Sequence, residues 1–285
     1  MRGSAQTDRA SRLPRRPHGP ATRLRAYCAA LLVFFCASLL PAQGFDWQYD
    51  ARMPSDYPDL FFGLDFAAGG SSYTGQLQHT EKIDDPFDGS LVCRECGIFD
   101  SGSDSYLSFG LRGEYWVDAL WTVRAGVGYV STDMHAQRDL PDLPSLDFGA
   151  VSSELQFEST RRRVALDVGM RRRMLDRFSV GGALNTAILL SESIEQNQQI
   201  IAPAEAAFLI DGVYSSTRPV VGELSSAADL LFSVDLGVYY DAPLARGLYA
   251  VSGLVASIPL HSATADQSWR GYGLRLNVSL LYGRP

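Results

Sequence analysis

Lysine is nearly missing from this chain: Lys82 is the only one among 285 residues, and arginine carries almost all the positive charge. Histidine (four residues) and cysteine (four) are scarce too. No apolar run after residue 44 reaches the roughly 20 residues that a spanning helix needs, which excludes a helical-bundle membrane protein. It does not exclude a barrel, whose strands are short and only half apolar. Beyond residue 44 there are 18 basic residues against 31 acidic ones, a balance that argues against nucleic acid as a partner. The scarce histidines and cysteines form no metal-ligand spacing, and no cofactor motif is present.

Residues 1–44 differ from the rest. Seven arginines (2, 9, 12, 15, 16, 23 and 25) precede the apolar stretch Ala26 to Leu40, followed by Pro41-Ala42-Gln43-Gly44. This is the layout of a secretory signal, with Ala42 and Gly44 as the small residues before cleavage and Phe45 as the mature start. Cys28 and Cys36 leave with it. Residues 45–59, with Pro54 and Pro58, read as a short periplasmic lead, and 60–285 as one domain.

That domain is written in alternation. From Tyr272 to Tyr282 the even positions are Tyr272, Leu274, Leu276, Val278, Leu280 and Tyr282, while the odd ones are Gly273, Arg275, Asn277 and Ser279 until Leu281 breaks the set. A strand puts alternate side chains on opposite faces, so one face is apolar and the other small or polar. The same rhythm runs through Leu60–Ala68, Tyr106–Trp116, Trp121–Tyr129, Val164–Met170, Phe178–Leu190 and Phe232–Tyr240, and more weakly through Leu248–Ile258. Connections near 69–105, 134–153, 191–227 and 261–268 read as long loops, and those near 117–119, 173–177 and 242–247 as tight turns.

A soluble sandwich also alternates. Two features favour lipid. The non-apolar face is dominated by Gly, Ala, Ser and Asn, which suits the crowded interior of a narrow barrel. Aromatic residues also recur at the ends of the apolar rows: Tyr115, Trp121, Tyr129, Phe178, Phe232, Tyr240, Tyr272 and Tyr282. Their spans approach the roughly 25 Å apolar band between the two girdles of a membrane barrel. The expected fold is therefore all-β, an up-and-down antiparallel transmembrane barrel of eight strands. A count of ten stays open, because Ala206 to Tyr214 reads as a further hairpin arm and the fourth strand's parity slips between Phe157 and Val164, which suggests a bulge or an extension above the membrane.

The inner face carries Asp65, Glu114, Asp167 and Asp235 against Arg112, Arg124, Arg171 and Arg275. Isolated charges in a narrow interior are costly, so these are expected to pair into a network that closes the lumen, the alternative being a charge-lined conduit. Arg162 and Arg172 share the parity of the lipid face at the two ends of Val164–Met170, where they can bind lipid phosphates or snorkel. Cys93 and Cys96 in an exported chain suggest a local disulfide. The acidic groups Asp84, Asp85, Asp88, Asp100 and Asp104 match no calcium loop. Only His261-Ser262 sets a base beside a nucleophile, and sequence neighbours on a strand face apart.

On its signal, strand rhythm, inward charges and aromatic last strand, the span Leu60–Tyr282 resembles the small eight-stranded outer-membrane barrels: the OmpA transmembrane domain, OmpX and PorT-like barrels. The resemblance implies a monomer in the outer membrane of a Gram-negative bacterium, inserted by the barrel-assembly machinery and surrounded by phospholipid and lipopolysaccharide. It implies architecture rather than activity. A structural, adhesion or envelope-interaction role comes first, a narrow porin-like channel second, and a lipid-modifying enzyme third. Members commonly end on the aromatic residue that the assembly machinery reads, whereas Gly283, Arg284 and Pro285 follow Tyr282 here.

Overall fold

Eight strands pair in sequence order and the last returns to the first, so the sheet has no free edge at the level of the apolar band. In a computed structural model of the chain they are β1 (Leu60–Ile83), β2 (Ile98–Trp116), β3 (Trp121–Ser145), β4 (Gly149–Arg173), β5 (Phe178–Ala202), β6 (Leu230–Ala245), β7 (Leu248–Pro259) and β8 (Trp269–Tyr282). The structure describes residues 59–283 apart from 84–90, 93–97, 119, 146–148, 176, 211, 221, 225–226, 246 and 266. The signal segment, the lead to residue 58, Cys93, Cys96, Asp84, Asp85 and Asp88 lie outside the described residues. All neighbouring strands are antiparallel, and closure runs from Phe62 opposite Tyr282 to Gly75 opposite Trp269.

The tight turns form at one end. Asp118 Oδ1 accepts hydrogen bonds from the backbone N–H of Leu120 and of Trp121, both at 2.7 Å, which reverses the chain between β2 and β3. Between β6 and β7, Gly247 takes φ +75°, a left-handed conformation that glycine adopts without steric cost.

Side-chain direction follows the alternation. Phe62, Leu64, Phe66, Leu107, Phe109, Leu111, Val127, Leu166, Val168, Met170, Leu184, Leu236, Val238, Leu274 and Leu280 all point outward and are exposed. Val168 is 61% and Leu184 62% exposed, values no soluble core wall would show. A continuous belt of this kind far exceeds the few hundred Å² of apolar patch that a water-soluble monomer tolerates. The inside buries charged and polar groups such as Arg112, Glu114, Arg124, Arg171 and Asp235, with apolar clusters toward its two ends. Hydrocarbon outside and polar groups inside is the architecture of a transmembrane β-barrel.

The long loops are corrected by the structure. The strands on either side of 69–105, 134–153 and 191–227 run on well past the belt: β1 reaches Ile83, β3 Ser145 and β5 Ala202, while β4 starts at Gly149. Along β4 the odd residues point inward without interruption from Val151 to Arg171, so its parity does not slip. What changes is the surroundings. Below Arg162 the outside is lipid and the apolar residues are even; above it the outside is water and the apolar residues (Phe157, Leu155, Val151) are odd and buried. The register irregularity lies across the ladder instead, where Arg162 opposes Ser191 and Arg163 opposes Leu189. That pairing leaves Leu190 as an extra residue on β5, a bulge.

A second storey therefore stands above the lipid. Strands β6, β7 and β8 stop short, and the connection after β5 replaces them: Thr217–Pro219 pairs with Asn197–Gln199 of β5, and Gly222–Leu224 with His79–Glu81 of β1. The residues suspected of adding a ninth and tenth stave form only a small hairpin, Phe208–Ile210 with Val213–Ser215, outside the ring. The strand count at the belt is eight.

Exchanging Leu166 for Arg places a cation on the lipid face and is expected to cost about 2–4 kcal/mol if it lies near the bilayer midplane. Glu158→Arg, four positions further along the same outward row but above the belt, is expected to stay within about 0.5 kcal/mol of wild type. Urea titration of the barrel folded into vesicles measures both.

Candidate functional site: a filled and double-plugged lumen

Glycine and alanine on the inner face make the space that large inward side chains occupy. A Cβ at Gly253 would come within 2.4 Å of the Tyr239 ring, and one at Gly271 within 2.5 Å of Tyr73. Each ring lies over the neighbouring strand, Tyr239 opposite Gly253 and Tyr73 opposite Gly271, because those positions are bare.

Three sets of side chains fill the lumen. At the tight-turn end Phe61, Trp116, Tyr239, Tyr249, Val251, Val255 and Leu281 form an apolar plug, with Phe61 edge-on to Tyr249 at 5.3 Å between ring centres. Leu281 breaks the alternation of β8 because it belongs to this inner plug and not to the lipid face. At the other end Tyr73, Leu77, Phe99, Met134, Ala136, Leu155, Phe157, Ala263 and Trp269 form a second plug at the base of the upper storey. The Tyr73 and Trp269 rings stack at 5.7 Å.

All eight inward charges read from the alternation form ion pairs inside the lumen, with Glu114 and Arg171 interleaved among the plug residues at the tight-turn end. Asp65 meets Arg112 at 3.0 Å, Glu114 meets Arg171 at 2.7 Å, Asp167 lies 3.8 Å from Arg124, and Arg275 pairs with Asp235. Two polar residues of β8 complete the first pair. Arg112 donates to Asn277 Oδ1 at 2.9 Å and to Ser279 Oγ at 2.5 Å, while Asn277 Nδ2 and Ser279 Oγ donate to Asp65. Arg124, with the longest ion pair, also lies over the Tyr239 ring at 4.8 Å, and a ring face partly offsets a distant carboxylate.

Sequence reasoning missed several members. Asp241, which abuts the turn read at 242–247, is a β6 residue that points inward and shares Arg171 with Glu114. Its odd parity, shared with Asp235 and Tyr239, was the available signal. Arg161 donates to Glu192 at 2.6 Å at the foot of the upper storey, and Arg163 lies beside them. Both arginines were hidden in the Arg161-Arg162-Arg163 run, in which only parity tells the inward pair from the outward middle residue.

The outward candidates stand apart. Arg162 and Arg172 are exposed on the outer face, and Arg172 lies over Trp121 at 5.5 Å. The aromatic set forms two rings. Tyr115, Trp121, Phe178, Tyr240 and Tyr282 lie near the tight turns, and Tyr129, Phe232 and Tyr272 near the other edge of the belt. Phe178 packs on Tyr240 at 5.1 Å and Phe109 on Tyr129 at 5.7 Å.

His261 and Ser262 do not face one another. His261 Nε2 accepts from the Phe232 N–H at 3.0 Å and Nδ1 lies 2.8 Å from the Ser262 carbonyl oxygen. Ser262 Oγ donates to the Gln267 carbonyl and accepts from the Trp269 N–H at 2.9 Å. Both side chains hold the β7–β8 connection in place. Among the described residues no group of three or more His, Cys, Asp or Glu is arranged to hold a metal ion.

No family model matches the chain, and no curated protein matches it. Solved structures match distantly. Neisserial surface protein A matches with 11% identity and a TM-score of 0.32, over 77% of this chain and 96% of its own. The outer membrane protease OmpT of Escherichia coli matches with 10% identity and a TM-score of 0.30, over 82% and 100%. Ail, the attachment invasion locus protein of Yersinia pestis, in complex with the heparin analogue sucrose octasulfate, matches with 12% identity and a TM-score of 0.22, over 77% and 99%. At this distance the matches carry no argument about what the chain does.

Removing one member of a buried pair strands its partner. Arg171→Met leaves Glu114 and Asp241 facing each other uncompensated, and a loss of about 3–5 kcal/mol is expected. The midpoint of urea unfolding in vesicles reads it. Replacing Arg172, the next residue along but exposed on the outer face, is expected to change stability by about 0.5 kcal/mol or less.

Proposed function

We propose that the chain is an outer-membrane barrel with a sealed lumen, and that its role is structural and surface-presenting: it holds the upper storey outside the lipid as a platform for adhesion or envelope contacts. The observation that carries this reading is the double plug. An eight-stranded barrel is only just wide enough for side chains to fill it, and here apolar clusters close both ends of a paired charge layer. Side chains from both clusters thus occupy the bore at its two ends.

The amino-terminal secretory pattern supports export, and the even strand number, which brings both ends of the barrel to the tight-turn side, supports a periplasmic position for that side. Lipid headgroups, including lipopolysaccharide phosphates, would meet Arg162 and Arg172 at the two edges of the belt. Insertion would use the barrel-assembly machinery, and a monomer suffices because closure leaves no edge to pair at belt level.

The outward surface of the upper storey is where a partner would bind. Asp133, Asp139, Glu154, Glu158 and Glu195 point away from its core, opposed mainly by Arg138 and Arg218. This acidic face favours cationic partners over sulfated sugars. The channel reading draws on the same charged layer but requires the plugs to open. The enzyme reading has no nucleophile and base in contact at His261-Ser262.

Purified protein in a planar bilayer is expected to give no reproducible conductance steps. Regular open-channel steps at modest voltage would replace this reading with the channel.

A further inference from the structure

We propose that the cavity beneath the outer plug is a binding site for a small monoanionic oxyanion, with Arg163 as its charged ligand. The inference goes beyond the sealed-platform reading and does not depend on it, since a site that binds need not conduct.

Arg112, Arg124, Arg161, Arg163 and Arg171 are buried in the lumen, and a sixth arginine, Arg275, is partly buried there. Five have a carboxylate. Arg163 is only 5% exposed, yet its Nε and Nη2 have no hydrogen-bond partner among the described residues. The nearby acids are already engaged. Glu192 accepts from Arg161 at 2.6 Å, Ser159 at 3.3 Å and the Ala227 N–H at 2.9 Å. Asp104 accepts from the Ser71 N–H at 2.6 Å and from the Tyr73 hydroxyl at 2.7 Å. A buried guanidinium without a counter-charge is costly, and its planar donor fork matches a phosphate or carboxylate.

The space is there. Arg163 lines a cavity of about 120 Å³ together with Thr132, Asn185, Ser233, Ser257 and Asp104. That is several times the roughly 10–15 Å³ that one water requires. Hydroxyls and the Asn185 amide supply further donors, and the Asp104 carboxylate selects a monoanion over a more highly charged species.

The wall is thinnest beside it. Pairing of β7 with β8 ends at Ser257 opposite Gly273, although β8 continues to pair with β1 as far as Trp269. Pro259 has no N–H to extend the β7 ladder, and Gly271, covered inside by the Tyr73 ring, and Gly273 give the wall only backbone there. All three line the cavity, as do the lipid-facing Phe232 and Leu274. The opening lies at the upper edge of the belt, where both a lipid headgroup and a dissolved anion can arrive.

The test uses the full mature barrel folded in zwitterionic detergent, titrated in one arm with inorganic phosphate and in the other with decanoate. The temperature at which the folded gel band is lost is followed throughout. Wild type is expected to shift upward saturably in at least one arm, because a ligand that binds only the folded state stabilises it. Response to decanoate alone assigns a lipid-derived carboxylate, and response to phosphate alone a soluble anion. Arg163→Met is expected to lose the shift while melting no lower than wild type without ligand, since it removes an unpaired charge. Should that variant not fold, Arg163→Lys keeps the charge without the fork and is expected to bind roughly tenfold more weakly. Arg138→Gln, at the outer rim, is the control for surface charge. No saturable shift in either arm, or a full shift in the position-163 variants, overturns the proposal.

Discussion

Lipid offers no hydrogen bonds to a backbone, and that constraint organises everything else in this molecule. A strand crossing hydrocarbon must satisfy its N–H and C=O groups on neighbouring strands, so the sheet has to close. Pairing of β8 with β1, from Phe62–Tyr282 to Gly75–Trp269, does this with eight staves. Closure at eight fixes a bore about one side chain across. Charges placed inside then have little room, and Arg112, Arg124, Arg161, Arg171 and Arg275 each find an acid on an adjacent or facing strand, with Arg163 the exception. The ion-pair layer thus follows from ring size, and ring size from the solvent outside.

The same constraint explains why the outer half of the molecule is built the other way round. The strands do not turn over on leaving the membrane. Phe157 and Asp167 of β4 point to the same interior, one into an apolar plug and the other into the charged layer. Above the belt, water satisfies the outside, so the hydrophobic residues move to the inner face and the storey has a dry core like that of a soluble barrel. The switch at Arg162 and Val164 marks where the lipid ends.

Parity was legible in the sequence wherever lipid forced one face to be apolar, which covers Leu60–Ala68, Tyr106–Trp116 and Tyr272–Leu280. It was weak in β7, where Val251 and Val255 face the inner plug while Leu254 faces lipid, so both faces are apolar. Above Arg162 the apparent slip is a change of solvent, since the strand extends above the membrane as the slip suggested, and the bulge lies on β5 at Leu190. Asp241 escaped for a different reason: its neighbour Pro243 signalled a turn, yet the strand continues to Ala245. The partners contributed by Asn277 and Ser279 are legible only as polar residues, because nothing local shows that Arg112, 165 residues away from Asn277, lies on the other strand flanking β1.

Site-directed spin labels placed singly at residues 153–170 of β4, in the barrel reconstituted into lipid vesicles with Cys93 and Cys96 replaced by serine, test the inside-out assignment most directly. Even positions 164–170 should be accessible to oxygen and shielded from a water-soluble nickel reagent; even positions 154–160 should be reached by the nickel reagent; and odd positions should be shielded from both. Free access of the nickel reagent to positions 164, 166, 168 and 170 would contradict it.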